Sequence, residues 1–242
     1  MESVDQLRRG FRILVGRRPR VSGRSCLLEV TARQGQGHGG SSMYYTLSFY
    51  PPLSTELSEA IAAIRREYDP TSHFAKPHIT ILFPVPGSVG ERRLVNHIQN
   101  VLSDWSPFEI QLGGFHKSRD HWLFLTLQEG AAQVKKLYRL LYTGMLEDYR
   151  SDDKEFVPHL GLGLFLNEGS TYDWDNPQES AFDRDRYEEA LRQAKELPPA
   201  SSLSVDRLHL TRIPDALLEW ATGKRASIPK DSEIVEVREF RL

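Results

Sequence analysis

The sequence lacks features that define several classes of protein. It contains one cysteine, Cys26, among 242 residues, so a disulfide within the chain and a cysteine-rich metal site are excluded. No run of eighteen apolar residues occurs, which argues against a membrane-spanning helix. The N-terminus also lacks the uninterrupted apolar stretch of a secretory signal peptide. We therefore expect no membrane contact and a reducing compartment, cytoplasmic or nuclear.

Positive charge is concentrated in residues 1–42. This segment carries eight arginines, no lysine and three acidic residues (+5), whereas the remainder carries 23 basic and 30 acidic residues (−7). The net negative charge of residues 43–242 does not favour binding along a nucleic-acid duplex. A small phosphate ligand, or one bound at the end of a chain, fits this charge better. We predict a disordered or targeting tail over 1–42, whose arginine bias leaves a mitochondrial location open, and one domain over 43–242.

Hydrophobic periodicity predicts an alternation of strands and helices after residue 42. Strands are predicted over 43–49, 108–117, 122–127, 203–213 and 232–242, and helices over 90–105, 131–149 and 182–197. A further helix is predicted from an N-cap at Ser54 or Thr55 to the break at Asp69-Pro70. Two further strands carry histidines and each follows a helix. This order predicts an α+β fold of two related halves, mainly antiparallel sheet with helices packed outside, around a shared cleft.

Two similar stretches hold the candidate active site. Pro77-His78-Ile79-Thr80 and Pro158-His159-Leu160-Gly161 each place a proline directly before a histidine. Because side chains alternate along a strand, each histidine lies on the face opposite the apolar residues. We predict that His78 and His159 face each other across the cleft.

Two histidines across one cleft can act as a general base and a general acid. Histidine exchanges protons near neutral pH, and a phosphate ester needs deprotonation of the attacking group and protonation of the leaving oxygen. Thr80 shares the face of His78 and can donate to a phosphate oxygen, while Lys76 can neutralise phosphate charge. This scheme needs no metal and no cofactor.

A competing motif is Leu208-His209-Leu210-Thr211, which copies the His-x-Thr pattern better than the stretch around His159 does. It follows Asp206-Arg207 rather than a proline and lies after the fourth predicted helix. We interpret His209 as part of the sheet, although it remains an alternative partner for His78. The remaining histidines after residue 42 are interpreted as surface or loop residues: His73, His97, His116 and His121.

The two histidine motifs together resemble the two-histidine phosphoesterase superfamily, which includes 2′-5′ RNA ligases and cyclic nucleotide phosphodiesterases. The resemblance covers residues 43–242 and implies two pseudo-symmetric lobes around a central cleft. It implies catalytic roles for His78 and His159 and phosphate binding by Thr80. Gly161 departs from the pattern, because the family usually has Thr or Ser there. A backbone amide or a water at Gly161 can substitute for the missing hydroxyl.

The resemblance implies a metal-independent hydrolase that opens a 2′,3′-cyclic phosphate on a nucleotide or an RNA end. We expect a monomer without a membrane partner. Two alternatives remain open: an RNA-end-processing, ligase-like enzyme with a longer substrate groove, and an impaired module that binds RNA or phosphate without turnover. Gly161 motivates the second alternative.

Overall fold

The computed structural model describes residues 43–150, 156–170, 172, 177–221 and 233–242. Its strands are β1 (Met43–Phe49), β2 (Ile79–Pro86), β3 (Phe108–Lys117), β4 (Trp122–Glu129), β5 (His159–Leu164), β6 (Leu203–Val205), β7 (Arg207–Pro214) and β8 (Val235–Arg241). They form one eight-stranded sheet in the order β6-β3-β4-β5-β2-β1-β7-β8. All neighbouring strands are antiparallel.

Five α-helices accompany the sheet in the described part of the chain. They are α1 (Thr55–Tyr68), α2 (Glu91–Leu102), α3 (Ala131–Leu141), α4 (Arg184–Lys195) and α5 (Asp215–Ala221). Of the two predicted N-cap residues of α1, Ser54 is the one observed, because it accepts a hydrogen bond from the Leu57 amide at 3.3 Å, which satisfies a free helix N–H. The helix ends at Tyr68, and its C-cap Asp69 lies directly before Pro70.

Two strand–helix–strand units build the two halves of the fold. β1-α1-β2 forms one unit and β4-α3-β5 the other, and their second strands meet at the centre of the sheet. Helix α1 packs against β5, and α3 packs against β2, so each helix lies beneath the histidine strand of the other half. The predicted α+β fold with two pseudo-symmetric lobes is confirmed.

The two faces of the sheet differ in burial. Ile79, Ile81, Leu125 and Leu160 point into the core and are at most 5 % exposed. The opposite side is called the open face below. Strand alternation places these residues of the central strands and their neighbours on it: Ser48, His78, Thr80, Trp122, Phe124, His159, Gly161 and His209.

Two predicted elements are wrong in extent. The predicted strand over 203–213 breaks at Asp206 into β6 and β7, which pair with different partners in opposite halves of the sheet. The predicted helix over 131–149 ends at Leu141, and Gly144, with φ of +56°, begins a 3₁₀ helix that ends at Tyr149. Helix α5 lies where no helix is predicted.

Some predictions fall on residues outside the described ones. The tail over 1–42 is among them, so the domain boundary at residue 43 stays a prediction. Within the described ranges, every helix is too short or too polar to cross a membrane.

Candidate active site

The two histidine strands are direct neighbours at the centre of the sheet. β2 and β5 run antiparallel, with Ile79 opposite Leu160. Continuing this register by one residue in each direction pairs position 78 with 161 and position 80 with 159. All four positions lie on the open face: His78, Thr80, His159 and Gly161. The two motifs therefore bring their residues into one patch.

Each motif histidine makes the same hydrogen bond. Nδ1 of His78 lies 2.7 Å from the carbonyl oxygen of Lys76, and Nδ1 of His159 lies 2.6 Å from that of Val157. Because a carbonyl oxygen only accepts, Nδ1 carries the proton and Nε2 keeps its lone pair in the neutral ring. The accepting residue precedes a proline in both motifs, which restricts it to extended backbone. The tautomer with the proton on Nδ1 is thus favoured in both motif histidines.

The environment of the two imidazoles disfavours their charged forms. Burial lowers the pKa of His159 from 6.5 to about 4; the hydrogen bond to Val157 opposes this shift, and positive charge on His78 adds to it. Burial also lowers the pKa of His78, against the hydrogen bond to Lys76, and Arg65 lowers it further. Both rings therefore favour the proton-accepting form at neutral pH, and a proton on one disfavours a proton on the other.

Aromatic side chains flank His159 on the β4 side. The ring of Phe124 stacks on the imidazole with centroids 3.5 Å apart and an interplanar angle of 16°. The Trp122 Nε1 donates to the Tyr172 hydroxyl at 3.2 Å, and that hydroxyl donates to Asp120 Oδ2 at 2.5 Å. These bonds fix the indole beside the histidine strand, because the buried Tyr172 and Asp120 are held by each other.

The space around position 161 is wide enough for a side chain, so sterics do not require a glycine there. A Cβ at this position would lie 3.8 Å from two ring carbons of Trp122, which is ordinary van der Waals contact. The missing hydroxyl therefore leaves space opposite His78, whereas Thr80 occupies the matching position opposite His159.

Lys76 lies at the end of the loop that leads into β2. Its side chain is exposed, and its carbonyl accepts the proton of His78 Nδ1. The loop is anchored by a buried ion pair, in which Arg65 Nε lies 2.8 Å from Asp69 Oδ2. The Asp69 carboxylate also accepts from the amide and the hydroxyl of Thr71, both at 2.7 Å. Lys76 thus has an established structural contact, while phosphate binding by its amine stays a prediction.

His209 lies on the open face, near the motif histidines. The ring of Tyr50 stands between them, with its centroid 6.0 Å from that of His78 and 5.1 Å from that of His209. Nδ1 of His209 lies 3.0 Å from Glu236 Oε2. The placement of His209 in the sheet is correct, but its side chain belongs to the surroundings of the site.

The other histidines are divided between surface and core. His116 on β3 is exposed, with its ring 6.4 Å from that of Phe124. His121 lies in the predicted turn between β3 and β4, as its interpretation as a surface or loop residue allows, but it is buried there, at 1 % exposed. Its ring stacks on Phe182, and its Nε2 lies 3.0 Å from the carbonyl oxygen of Gln178.

Sequence analysis leaves the flanking aromatic residues Tyr50, Phe124 and Trp122 unassigned. Alternation along β4 offers a clue, because Trp122 and Phe124 alternate with the buried Leu123 and Leu125. Alternation indicates the face but not the neighbours, which depend on strand order.

Among the described residues, no group of three or more His, Cys, Asp or Glu side chains is arranged to hold a metal ion.

The family model of the 2′-5′ RNA ligase superfamily matches residues 51–216. The chain belongs to the 2′-5′ RNA ligase superfamily. The match begins just after β1, ends at the start of α5 and includes both motif histidines, so the resemblance noted from the two motifs is confirmed.

Individual relatives of this superfamily member are distant. A Bacillus licheniformis protein with phosphoesterase in its name is 24 % identical over 128 residues, which cover 52 % of this chain and 73 % of that protein. The solved structure of E. coli LigT complexed with 3′-AMP is 14 % identical, covers 84 % of this chain and 98 % of its own, and superposes with a TM-score of 0.48. Kluyveromyces marxianus Usb1 with uridine monophosphate is 12 % identical and covers 81 % and 98 %, with a TM-score of 0.40.

Proposed function

We propose that this chain is a metal-independent phosphodiesterase that opens a 2′,3′-cyclic phosphate on a nucleotide or an RNA end. The observation that carries the proposal is the matched pair of imidazoles on adjacent strands. Each has Nδ1 bound to a backbone carbonyl and thus Nε2 left for proton transfer. Membership of the superfamily supports a phosphoester substrate.

Hydrolysis by this pair consists of two coupled proton transfers. One imidazole Nε2 takes a proton from water, whose oxygen forms a bond to phosphorus. The bond from phosphorus to one ribose oxygen breaks, and the other imidazole, as imidazolium, gives its proton to that oxygen. The product is a phosphomonoester with one free ribose hydroxyl. Each role is typically worth ~10²–10⁴-fold in rate.

Neighbouring groups bind the phosphate in this scheme. The Thr80 hydroxyl, on the same face as both rings, donates to a non-bridging oxygen as charge develops. The space opposite His78, where Gly161 lacks a side chain, admits a water or the phosphate itself. The exposed Lys76 amine contributes a point charge at the rim.

The test is hydrolysis of a 2′,3′-cyclic nucleotide in the presence of EDTA. We expect turnover by the wild type, with losses of ~10²-fold or more in His78→Ala and in His159→Ala. His73→Ala is the matched control, since it removes an exposed imidazole from the short 3₁₀ helix Pro70–His73, which is not part of the sheet, and should retain wild-type activity. Full activity in either motif variant, or loss of activity with EDTA, would contradict the mechanism.

A second candidate function is binding of a phosphate or RNA end without turnover. Gly161 favours it, because one of the two expected hydroxyl donors is missing. Tight binding of a cyclic nucleotide by a wild type that releases no product would identify this function. Product analysis separates both from the ligase-like alternative, in which a new phosphodiester bond forms.

A further inference from the structure

We propose that Thr71 and Phe156 are positioning residues for the two motif histidines. Thr71 fixes the segment whose carbonyl orients His78. Phe156 fixes the segment whose carbonyl orients His159. The inference rests on the proposed function, because it assumes that both rings transfer protons through Nε2. It goes beyond that function by assigning the two halves of the site different means of holding their imidazoles.

The tautomer of each motif histidine depends on one carbonyl oxygen. Among the described residues, Lys76 supplies the hydrogen-bond acceptor for the His78 ring, and Val157 supplies the one for the His159 ring. If the carbonyl turns away, Nδ1 loses its acceptor, and the neutral ring can carry its proton on Nε2 instead. That tautomer cannot take a proton at Nε2. Residues that fix the two carbonyls therefore bear directly on proton transfer.

Thr71 holds the segment before the first motif by hydrogen bonds on both of its sides. Its amide and its hydroxyl donate to Asp69 Oδ1, both at 2.7 Å. Its carbonyl accepts from the amide of Ala75 at 2.9 Å, and Ala75 directly precedes Lys76. Asp69 is buried and paired with Arg65 on α1 at 2.8 Å. A continuous series of hydrogen bonds thus leads from α1 to the residue before the carbonyl, and we call Asp69 and Thr71 the polar anchor.

The corresponding segment of the second motif is held by ring packing. Phe156 directly precedes Val157, so it corresponds to Ala75 in the first motif. Its ring stacks on Tyr138 of α3, with centroids 4.2 Å apart and an interplanar angle of 15°. It also meets Phe83 of β2 edge-on at 5.9 Å. Tyr138 is buried in the core, so this stack fixes the chain beside Val157, and we call Phe156 and Tyr138 the aromatic anchor.

The two anchors lie on different elements, the polar anchor at the end of α1 and the aromatic anchor on α3. A change in one anchor should therefore disturb one imidazole and spare the other. Loss of general stability would not produce this division, because it would affect both rings. Each variant can thus serve as a control for the other.

The experiment measures the ring tautomers of the ligand-free protein at neutral pH, by nuclear magnetic resonance of the imidazole nitrogens. We expect both wild-type rings to carry the proton on Nδ1. Thr71→Val keeps the shape of the side chain and deletes its hydroxyl. It should lower the ratio of the Nδ1–H to the Nε2–H tautomer in His78 by about 2- to 10-fold, the worth of one hydrogen bond, and leave His159 unchanged. Phe156→Leu should do the reverse, by a similar factor for one stacked pair.

Two further variants separate the hydrogen bonds of Thr71 from the other side chains of its 3₁₀ helix. Thr71→Ser retains the hydroxyl and should restore the wild-type tautomer. His73→Ala is the matched control, because it removes an exposed side chain from the same helix and should change neither motif histidine. A wild-type tautomer of His78 in Thr71→Val, or equal changes of both rings in either variant, would overturn the proposal.

Hydrolysis of a 2′,3′-cyclic nucleotide gives the second measurement. In Thr71→Val and in Phe156→Leu, kcat should fall by the same factor as the tautomer ratio with KM unchanged, because a misplaced proton impairs the chemical step. A higher KM at unchanged kcat would contradict positioning. If the tautomers respond as expected but the wild type releases no product, the anchors stand and the hydrolytic function fails. If the wild type turns over and the tautomers do not respond, the anchors fail.

Measurements on the wild type keep the inference testable if a variant folds poorly. The amide of Ala75 should exchange with solvent slowly, since it donates to Thr71. The rings of Phe156 and Tyr138 should show strong magnetic cross-relaxation, since they are stacked. Exchange at Ala75 as fast as in an unfolded peptide would overturn the polar anchor, and absence of cross-relaxation would overturn the aromatic anchor.

Discussion

The two halves of the open face are alike at the motif histidines and different beside them. Around His159 the flank is aromatic, with Phe124 lying flat on the imidazole at 3.5 Å. Around His78 the flank is polar and looser, with Tyr50 tilted at 6.0 Å and His209 beyond it. The backbone carbonyls that hold the two rings are equivalent. The two related halves thus account for the matched pair of imidazoles, while the flanks make the two sides of the site different.

The hydroxyl donors show the same asymmetry. Thr80 stands opposite His159, and Gly161 stands opposite His78 in the register of β2 and β5. One half of the site therefore carries a side-chain hydroxyl, and the other half leaves space at the matching position. Changing one position at a time tests how much each half contributes.

Removing the remaining hydroxyl should have the largest effect among these changes. Thr80→Val keeps the shape of the side chain and deletes the donor, so we expect kcat for a cyclic phosphate to fall by ~10²–10³-fold. Thr80→Ser should retain most of the activity. Wild-type kcat in Thr80→Val would show that the phosphate is bound elsewhere.

Restoring the second hydroxyl should raise activity. Gly161→Ser fits sterically, since a Cβ meets only Trp122 carbons at 3.8 Å, and it adds a donor opposite His78. We expect kcat to increase by about 10-fold, less than the loss in Thr80→Val because nothing in this site has been arranged around that donor. Gly161→Ala supplies the control for side-chain bulk. An equal change in both variants would mean that the hydroxyl is irrelevant.

The pH dependence should reflect the aromatic flank. Burial lowers the pKa of both histidines below 6.5, that of His159 to about 4. The base is lost as pH falls through its pKa and the acid as pH rises through its own, so kcat/KM of the free enzyme should peak below pH 6.5. Phe124→Leu removes the ring that shields His159 from water, so it should raise the pKa of His159. The limb of the pH profile that depends on His159 should then move to higher pH.

The limb that moves identifies which apparent pKa belongs to His159. With that pKa lowered to about 4, we expect the limb at low pH to move, whether His159 acts as the base or as the acid. Tyr50→Leu is the control from the polar flank and should leave that limb in place. Equal movement in both variants would contradict a specific effect of Phe124.

The local sequence pattern was sufficient to predict much of the fold. The predicted bounds of β1 and β3 are correct, and the α1 cap follows from Ser54. In each case neighbouring residues determine the outcome, through alternation or through one side-chain hydrogen bond. The strand predicted over 203–213 failed because its division at Asp206 depends on partners: β6 joins β3, and β7 joins β1. Those strands lie far away in the sequence.

The candidate site shows the same limit. Paired Pro-His motifs predict two histidines on strands, and alternation predicts that Leu208 and Leu210 are buried, which they are. It follows that His209 faces the other way. That Tyr50 links it to His78 could not be predicted, because strand order alone decides which open-face residues are neighbours.

Tyr172, which accepts a hydrogen bond from Trp122, and Tyr50, which lies beside His78, should differ in their contribution to stability. The Tyr172 hydroxyl donates to the buried Asp120 and accepts from Trp122, so Tyr172→Phe leaves a buried carboxylate with one partner fewer. We expect a loss of about 1–3 kcal/mol in the free energy of unfolding, measured by urea denaturation. The hydroxyl of the half-buried Tyr50 makes no hydrogen bond to any other residue in the described ranges, and Tyr50→Phe should change stability by less than about 0.5 kcal/mol. Equal losses of unfolding free energy in Tyr172→Phe and Tyr50→Phe would mean that the aromatic side chains beside His159 are held by packing alone. The expected difference would show that their position beside His159 depends on the hydrogen bonds of Tyr172.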